Sequence, residues 1–327
     1  MTPALAGPCA GWRLGRLSAG SAVISPLLAV LAAGLNALAS ALQRKAARDQ
    51  PEDENLSLRL VWHLLHRPVW FGGIAAIIGA FLLQATALGT GELSVVQPLL
   101  ALELPTALIL SGFLLGSRLG RREWGASAVM AAGVAGLVAS LGPSGGKTTS
   151  VPWWEWAIGC GINVLVIVAG VLWSRGASGS RRSAILGATT GCAFGLTAAL
   201  MKGMTNTFSH GFVALLTSWQ LWAMFAAGAC AMFLLQSAMH AGRLLSTQPG
   251  LTMADPVVAI LWGTLVFQES VRGGLFIVLA VVAAAAAAAA VMVLSRSPLL
   301  SGEAGHQEQD DKPSGEGHSE APEARGG

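Results

Sequence analysis

Nine runs of mostly apolar residues follow one another along the chain, and each is close to the roughly 20 residues that a helix needs to cross a bilayer. A cleaved signal peptide or a single anchor does not account for runs that recur along nearly the whole length. Charged residues make up only 11% of the 327 positions, against about 25% in soluble domains. We therefore expect an all-α polytopic membrane protein with nine spans. They lie at about 21–43, 68–88, 93–115, 124–141, 153–173, 184–201, 219–240, 247–267 and 272–294.

The distribution of basic residues predicts how the chain is oriented. The loops after spans 1, 3, 5 and 7 contain 12 Lys and Arg residues, whereas the loops after spans 2, 4, 6 and 8 contain three. The positive-inside rule then predicts a protein of the cell membrane with its N-terminus outside and its C-terminus in the cytoplasm. Arg13 and Arg16, before the first span, oppose this assignment. The net charge of +3 reflects the loop bias, so we expect the lipid bilayer and no nucleic acid as a partner.

Tryptophans cluster near the predicted span ends, where their amphipathic rings suit the membrane–water interface. We interpret eight of them as interfacial anchors: Trp70, Trp124, Trp153, Trp154, Trp156, Trp173, Trp219 and Trp222.

One segment of the chain recurs. "FLLQATALGTGELSVVQPLLALELP" from Phe81 aligns with "FLLQSAMHAGRLLSTQPGLTMADP" from Phe233 with a one-residue gap. Gln97-Pro98 matches Gln248-Pro249, Pro105 matches Pro256, and Gly112 matches Gly263. Each copy has four helices, and one further helix separates the two copies. The second copy therefore enters the membrane from the opposite side, so the sequence predicts two inverted four-helix repeats. Such repeats are typical of alternating-access transporters, which bind substrate near the midplane where the halves meet.

The repeats divide the chain into five predicted regions. Residues 21–141 form repeat 1, residues 184–294 form repeat 2, and residues 142–183 contain the linking fifth helix with its flanking loops. Residues 1–20 are expected to be a short extracytoplasmic N-terminus. Residues 295–327 are rich in Gly, Pro, Ser and acidic residues, a composition typical of disorder, and are expected to be a cytoplasmic tail. Whether a tenth membrane segment exists around residues 203–218 stays open.

The motifs "QPLLALELP", "GRREW" from Gly120 and "ADPVVAILWGTLVFQE" from Ala254 resemble the drug/metabolite transporter superfamily, closest to its bacterial NIPA-like and EamA-like branch. The resemblance covers about residues 21–294. It implies transport of a small solute without ATP. It does not identify the solute, since the superfamily carries sugars, nucleotide derivatives, amino acids, cationic drugs and, in the NIPA branch, magnesium. Many EamA-like members have a tenth span, so nine spans favour the NIPA-like branch.

Two acidic residues lie within predicted spans. Glu103 is close to the centre of span 3, and Asp255 is about a third of the way along span 8. A carboxyl group at bilayer depth costs at least ~2.5 kcal/mol on insertion scales, so both are candidates for substrate or ion binding. The alternative is a carboxyl that locks neighbouring helices together by hydrogen bonds. Asp255 shares a helix face with Gln248, seven residues earlier, and is the stronger candidate.

Prolines recur at matching positions of both repeats and predict broken helices. Pro105 and Pro256 each remove a backbone donor and disfavour a regular helix, which leaves the carbonyls of Ala101 and Thr252 without their usual partners. Broken helices at corresponding positions indicate a transporter's binding site, although a packing kink is the simpler interpretation. Pro98 and Pro249 lie near span starts, where proline is tolerated, and carry less weight.

Four glutamines pair across the repeats and complete the candidate site for substrate or ion binding: Gln84, Gln97, Gln236 and Gln248. They suit hydrogen bonds to a substrate, and they equally suit hydrogen bonds between helices.

These features predict a secondary transporter that binds a small solute between two inverted repeats, with Asp255 and Glu103 taking a cation or a coupling proton. Magnesium transport is one alternative, because carboxylate, amide and carbonyl oxygens are suitable ligands. A membrane scaffold without transport activity is the other, and it predicts a dry, filled core around both acids. No catalytic residue set lies at membrane depth, so we expect no enzyme and no cofactor. A fused duplication is compatible with a monomer or a homodimer.

Overall fold

The computed structural model describes residues 9–48, 68–115, 119–146, 151–208, 211–241 and 244–297. Within these ranges the ordered elements are α-helices, and β-type pairing is limited to one isolated bridge between Ser144 and Ser270. The helices are α1 (Cys9–Arg48), α2 (Pro68–Thr90), α3 (Leu93–Leu100), α4 (Glu103–Leu115), α5 (Arg121–Leu141), α6 (Trp153–Arg175), α7 (Gly179–Phe208), α8 (Phe212–Thr217), α9 (Trp219–Ala241), α10 (Leu244–Leu265) and α11 (Leu275–Leu294).

Eight helical segments are long and apolar enough to cross a membrane, which confirms the prediction of an all-α polytopic membrane protein. They are Val23–Gln43, Phe71–Thr90, Leu93–Leu114, Arg121–Leu141, Trp153–Arg175, Gly179–Phe208, Trp219–Ala241 and Leu275–Leu294. The predicted span at 247–267 coincides with α10, which is helical but is not among the eight. Gln248 and Asp255 lower its apolar character, so a count of nine spans stays a prediction.

The segment around residues 203–218 divides between two helices. α7 continues to Phe208, well beyond the predicted end of its span at residue 201. α8 has six residues, none of them buried, and is far shorter than the roughly 20 residues that a crossing requires. The described part of this segment therefore provides no additional crossing.

The two ends of the chain agree with the predicted regions only in part. α1 begins at Cys9, so much of the predicted N-terminal region 1–20 is helical, and residues 1–8 lie outside the described residues. Ser295 follows the last residue of α11, and the predicted disordered tail beyond residue 297 lies outside the described residues.

The backbones of α7 and α10 approach closely along a face of α7 that carries glycines at every fourth position. A Cβ atom added at Gly191 would lie 2.6 Å from the carbonyl oxygen of Leu251. One added at Gly187 would collide with the backbone of Thr247. From the opposite side, a Cβ at Gly250 would lie 2.8 Å from the backbone nitrogen of Ala188. Small residues at such crossings allow close helix packing, and they fix α10 against α7.

The same packing order occurs in both halves of the chain. In the first half, α1 packs against α2 and against α3 and α4. In the second half, α7 packs against α9 and against α10. Between the halves, α3 contacts α10 and α5 contacts α11.

Most of the predicted interfacial tryptophans with described side chains are exposed, as the anchor interpretation requires: Trp124, Trp153, Trp154, Trp173, Trp219 and Trp222. The side chain of Trp70 lies outside the described residues. The interpretation is wrong for Trp156, which is buried. Its ring centroid lies 5.4 Å from that of Trp219, 5.5 Å from Trp262 and 5.6 Å from Phe267, so it belongs to an aromatic cluster inside the bundle.

Candidate functional site

A cavity of about 560 Å³ lies between the helices of the two halves. Its walls come from α1, α2, α3 and α4 on one side and from α7 and α10 on the other. Six side chains carrying carboxyl or amide groups line it: Asn36, Gln84, Gln97, Glu103, Gln248 and Asp255. Five of the six predicted binding residues are therefore brought together, and the sixth, Gln236, is not.

Gln236 is exposed on α9 and is absent from the described residues that line the cavity. Its counterpart Gln84 lies on α2, which borders the cavity. The prediction of Gln236 as a cavity residue is wrong, because equivalent positions in the two halves need not face the same space once the surrounding helices differ.

Glu103 is the first residue of α4 and follows a turn that separates α3 from α4. In this turn Ala101 N donates to Pro98 O at 3.2 Å and Leu102 N donates to Leu99 O at 3.1 Å. The interruption lies just before Pro105, as predicted. The carbonyl of Ala101 is not left free, however, because it accepts a hydrogen bond from Leu104 N at 3.2 Å.

The second predicted break is wrong. α10 runs from Leu244 to Leu265 without interruption and contains both Pro249 and Pro256, and α3 likewise contains Pro98. Close packing against the glycine face of α7 holds α10 in helical form although each proline removes a backbone hydrogen bond. Of the four predicted helix-breaking prolines, Pro256 lines the cavity.

Each acid is paired with an amide from another helix. Asn36, on α1, hydrogen-bonds the carboxyl of Glu103. Gln97 Nε2, on α3, donates to Asp255 Oδ1, on α10, at 3.4 Å. On α10 itself, Gln248 Nε2 donates to Thr252 Oγ1 at 3.4 Å. The Gln97–Asp255 contact connects the first half of the chain to the second across the cavity.

The described lining residues carry no Lys, Arg or His that could neutralise the two acids. The apolar part of the wall includes the aromatic rings of Phe81 and Phe194. The arrangement is thus able to accept a positive charge or a proton at either carboxyl, to hydrogen-bond a polar solute through its amides, and to contact apolar groups.

A buried ion pair adjoins this cavity, and the sequence analysis did not identify it. Lys202 Nζ lies 2.8 Å from Glu269 Oε1, and the two side chains are 1% and 0% exposed. The predicted span 184–201 ends just before Lys202, which would place Lys202 in a loop, but α7 extends past it to Phe208. Nζ also donates to Gly91 O at 2.9 Å and lies 5.2 Å from the centroid of the Phe267 ring.

Glu269 is bonded to the start of α3 as well as to Lys202. Its Oε1 accepts a hydrogen bond from Leu93 N at 2.7 Å, and its Oε2 accepts one from Ser94 N at 3.0 Å. These N–H groups belong to the first turn of the helix and have no partner within it, so a carboxylate is favourable there. The available sequence signal was Glu269 itself, an acid directly after an apolar span.

Comparisons with known proteins show similarity to an uncharacterized protein. No family model and no solved structure matches the chain. An uncharacterized protein of Corynebacterium glutamicum is 31% identical over 255 residues, which cover 75% of this chain and 86% of that protein. The chain therefore belongs to the same protein family as this corynebacterial protein.

Proposed function

We propose that the protein is a secondary, non-ATP-driven membrane transporter that moves a small solute by alternating access. The observation that carries the proposal is the cavity of about 560 Å³, which contains two carboxyl groups and four amides between helices of both halves. Ionisable groups inside a membrane bundle are costly, and they are typical of substrate and ion pathways.

The packing of the helices supports the predicted inverted repeats. α1 with its neighbours in the first half corresponds to α7 with its neighbours in the second. The contacts of α3 with α10 and of α5 with α11 join equivalent spans, as expected at a pseudo-twofold axis. Transporters with inverted repeats bind their substrate at such an interface. The proposal includes membership of the drug/metabolite transporter superfamily, which rests on the sequence motifs.

In this proposal the carboxyl groups of Asp255 and Glu103 bind a positively charged group of the solute or a coupling proton, and the amides orient the solute. Asp255 accepts from Gln97 and Glu103 bonds to Asn36, so each carboxyl is held in place while the cavity stays open to a ligand. A positively charged group on the solute, or a coupling proton, neutralises an acid at this depth and lowers the cost of burying it.

The two alternatives fit the structure less well. Among the described residues, no group of three or more His, Cys, Asp or Glu side chains is placed to hold a metal ion, so the magnesium alternative gains no support. The scaffold alternative requires a dry, filled core around the acids, whereas both acids line a polar cavity. We further propose the predicted orientation, with the N-terminus outside and the C-terminus in the cytoplasm of the cell membrane.

Transport is tested with the full chain reconstituted into liposomes, with uptake measured across a panel of amines, amino acids, sugars and Mg²⁺. Asp255→Asn and Glu103→Gln remove the charges with little change in shape, and we expect each to reduce the flux of any transported solute at least about tenfold. Gln236→Asn, on the exposed surface of α9, is the control and should transport like the parent. Full flux in both acid variants would refute the carboxylate mechanism. If no solute moves under any gradient, the scaffold alternative is favoured.

A further inference from the structure

Neither Lys202 nor Glu269 is among the described residues that line the cavity, yet the pair is almost completely buried. Burying two charges removes their hydration, and the mutual attraction offsets this cost only when the geometry is good. Here Lys202 Nζ contacts Glu269 Oε1 and Gly91 O, and both carboxylate oxygens of Glu269 accept backbone N–H groups. Each charged group therefore has more than one polar partner in this conformation.

The pair joins the two halves of the chain. Lys202 lies on α7 and Glu269 follows α10, both in the second half. Their other partners, Gly91, Leu93 and Ser94, lie where α2 connects to α3 in the first half. Any movement that separates the halves at this end must break these contacts together.

The pair also lies next to one end of the cavity. On α7, Thr197, Ala198 and Met201 line the cavity, and Lys202 is the next residue. On α3, Gln97 lines the cavity less than one turn after Ser94, a rise of about 4.5 Å. The ring of Phe267, which contacts Trp156, packs beside Lys202 Nζ, so the pair is shielded by aromatic rings as well as by the backbone.

Gly263 allows the carboxylate of Glu269 and the start of α3 to pack this closely. A Cβ atom at this position, on α10, would collide with the carboxylate of Glu269 and with Ser94 Oγ. Because a glycine stands here, the carboxylate and the start of α3 fit against the backbone of α10.

We propose that Lys202 and Glu269 form a gate that closes one mouth of the cavity and opens when the two halves separate there. The inference rests on the proposed transport function and identifies the residues that control access to its site. A buried ion pair suits a gate because closing it contributes little net free energy, while its geometry fixes a single closed arrangement. On opening, water hydrates both charges again. With the predicted orientation this is the outer mouth.

Sided labelling tests the gate without a known substrate. The four cysteines are replaced by alanine, and Thr197→Cys places one thiol in the cavity wall. A membrane-impermeant maleimide is then added to right-side-out or to inside-out vesicles. We expect labelling only from the side opposite the pair. Lys202→Met should increase the labelling rate from the closed side about tenfold or more, whereas Lys202→Arg, which keeps the charge, should not.

A cross-link tests the same gate in a protein that keeps both charges. Gly89→Cys on α2 and Thr205→Cys on α7 place two thiols across the two halves near the pair, because a Cβ atom at Gly89 would lie 3.2 Å from the Cβ atom of Thr205 and away from the Glu269 carboxylate. We expect oxidation to stop the flux of any transported solute and reduction to restore it, and oxidation should abolish residual labelling of Thr197→Cys from the pair's side.

Equal labelling from both sides in the parent, or the same labelling in Lys202→Met as in the parent, would overturn the gate. So would full transport by the oxidised, cross-linked protein, since the pair would then only hold the fold together. If no solute moves even after reduction, the transport proposal fails, and the sided labelling still decides whether the pair controls access.

Discussion

Removing the carboxylate of Glu269 is expected to destabilise the protein more than removing the ammonium of Lys202, although the two groups are partners in one ion pair. Loss of either partner leaves the other charge buried, which costs about 3–5 kcal/mol. In Lys202→Ala, Glu269 keeps its hydrogen bonds from Leu93 N and Ser94 N. In Glu269→Ala these two N–H groups also lose their acceptor, at about 1–3 kcal/mol each. Lys202→Ala in turn leaves Gly91 O without its donor, so the two variants differ by one unpaired backbone group. Glu269→Ala should therefore cost about 2 kcal/mol more.

The comparison is measured as the temperature at which the detergent-solubilised full chain loses its monodisperse peak in size-exclusion chromatography. At roughly 2–4 °C per kcal/mol, the two variants should differ by about 4 °C or more. Arg182→Ala is the control, because Arg182 is an exposed cation on the same helix as Lys202. It should behave like the parent.

Equal midpoints for the two alanine variants would show that the backbone contacts of Glu269 add nothing to the ion pair. A smaller loss in Glu269→Ala than in Lys202→Ala would contradict the reasoning outright. Glu269→Gln gives a further check, because it keeps one acceptor oxygen and should lie between Glu269→Ala and the parent.

Three further predictions concern helix packing, the cavity and orientation. Gly191→Ala should lower the thermal midpoint, because the added Cβ atom would lie 2.6 Å from Leu251 O and such overpacking costs about 1–3 kcal/mol. Gly161→Ala is the control: its Cβ atom would meet nothing within 4 Å, so it should not lower the midpoint. Gln97→Leu should reduce solute flux several-fold, because it removes the hydrogen-bond donor to the carboxyl of Asp255. Gln236→Leu, on the exposed surface of α9, should not reduce it. Equal flux in the two variants would count against a role for the Gln97–Asp255 contact. A reporter fused to the C-terminus should be active only in the cytoplasm, and periplasmic activity would reverse the predicted orientation.

The helices were predictable from the sequence because each apolar run is by itself long enough and apolar enough to cross the bilayer. Length and composition locate such a segment without reference to its neighbours. The cavity residues were predictable for a related reason: Glu103 and Asp255 are polar where almost every other side chain is apolar, and the structure places both on the lining of one cavity.

The ion pair was not predictable, because it depends on where distant segments meet. Lys202 and Glu269 are 67 positions apart, and each lies at the end of a predicted span, where a charged residue normally faces water. The continuous form of α10 was missed for a similar reason. Proline disfavours a helix locally, but the glycines of α7 supply a tertiary contact that outweighs this preference, and no local rule contains it.

If the proposed gate exists, the two orientations of the predicted inverted repeats are not equivalent. Extending the alignment that matches Gly112 with Gly263 places Arg118 at the position of Glu269, so the first repeat lacks the corresponding acid. If both mouths were closed by equivalent contacts, the two orientations would have similar free energies. Because an acid stands at this position in only one repeat, the contacts that close the two mouths differ chemically, and the two orientations are expected to differ in free energy. A charge-removing variant of Lys202 should therefore change which side of the membrane reaches the cavity, even in the absence of solute.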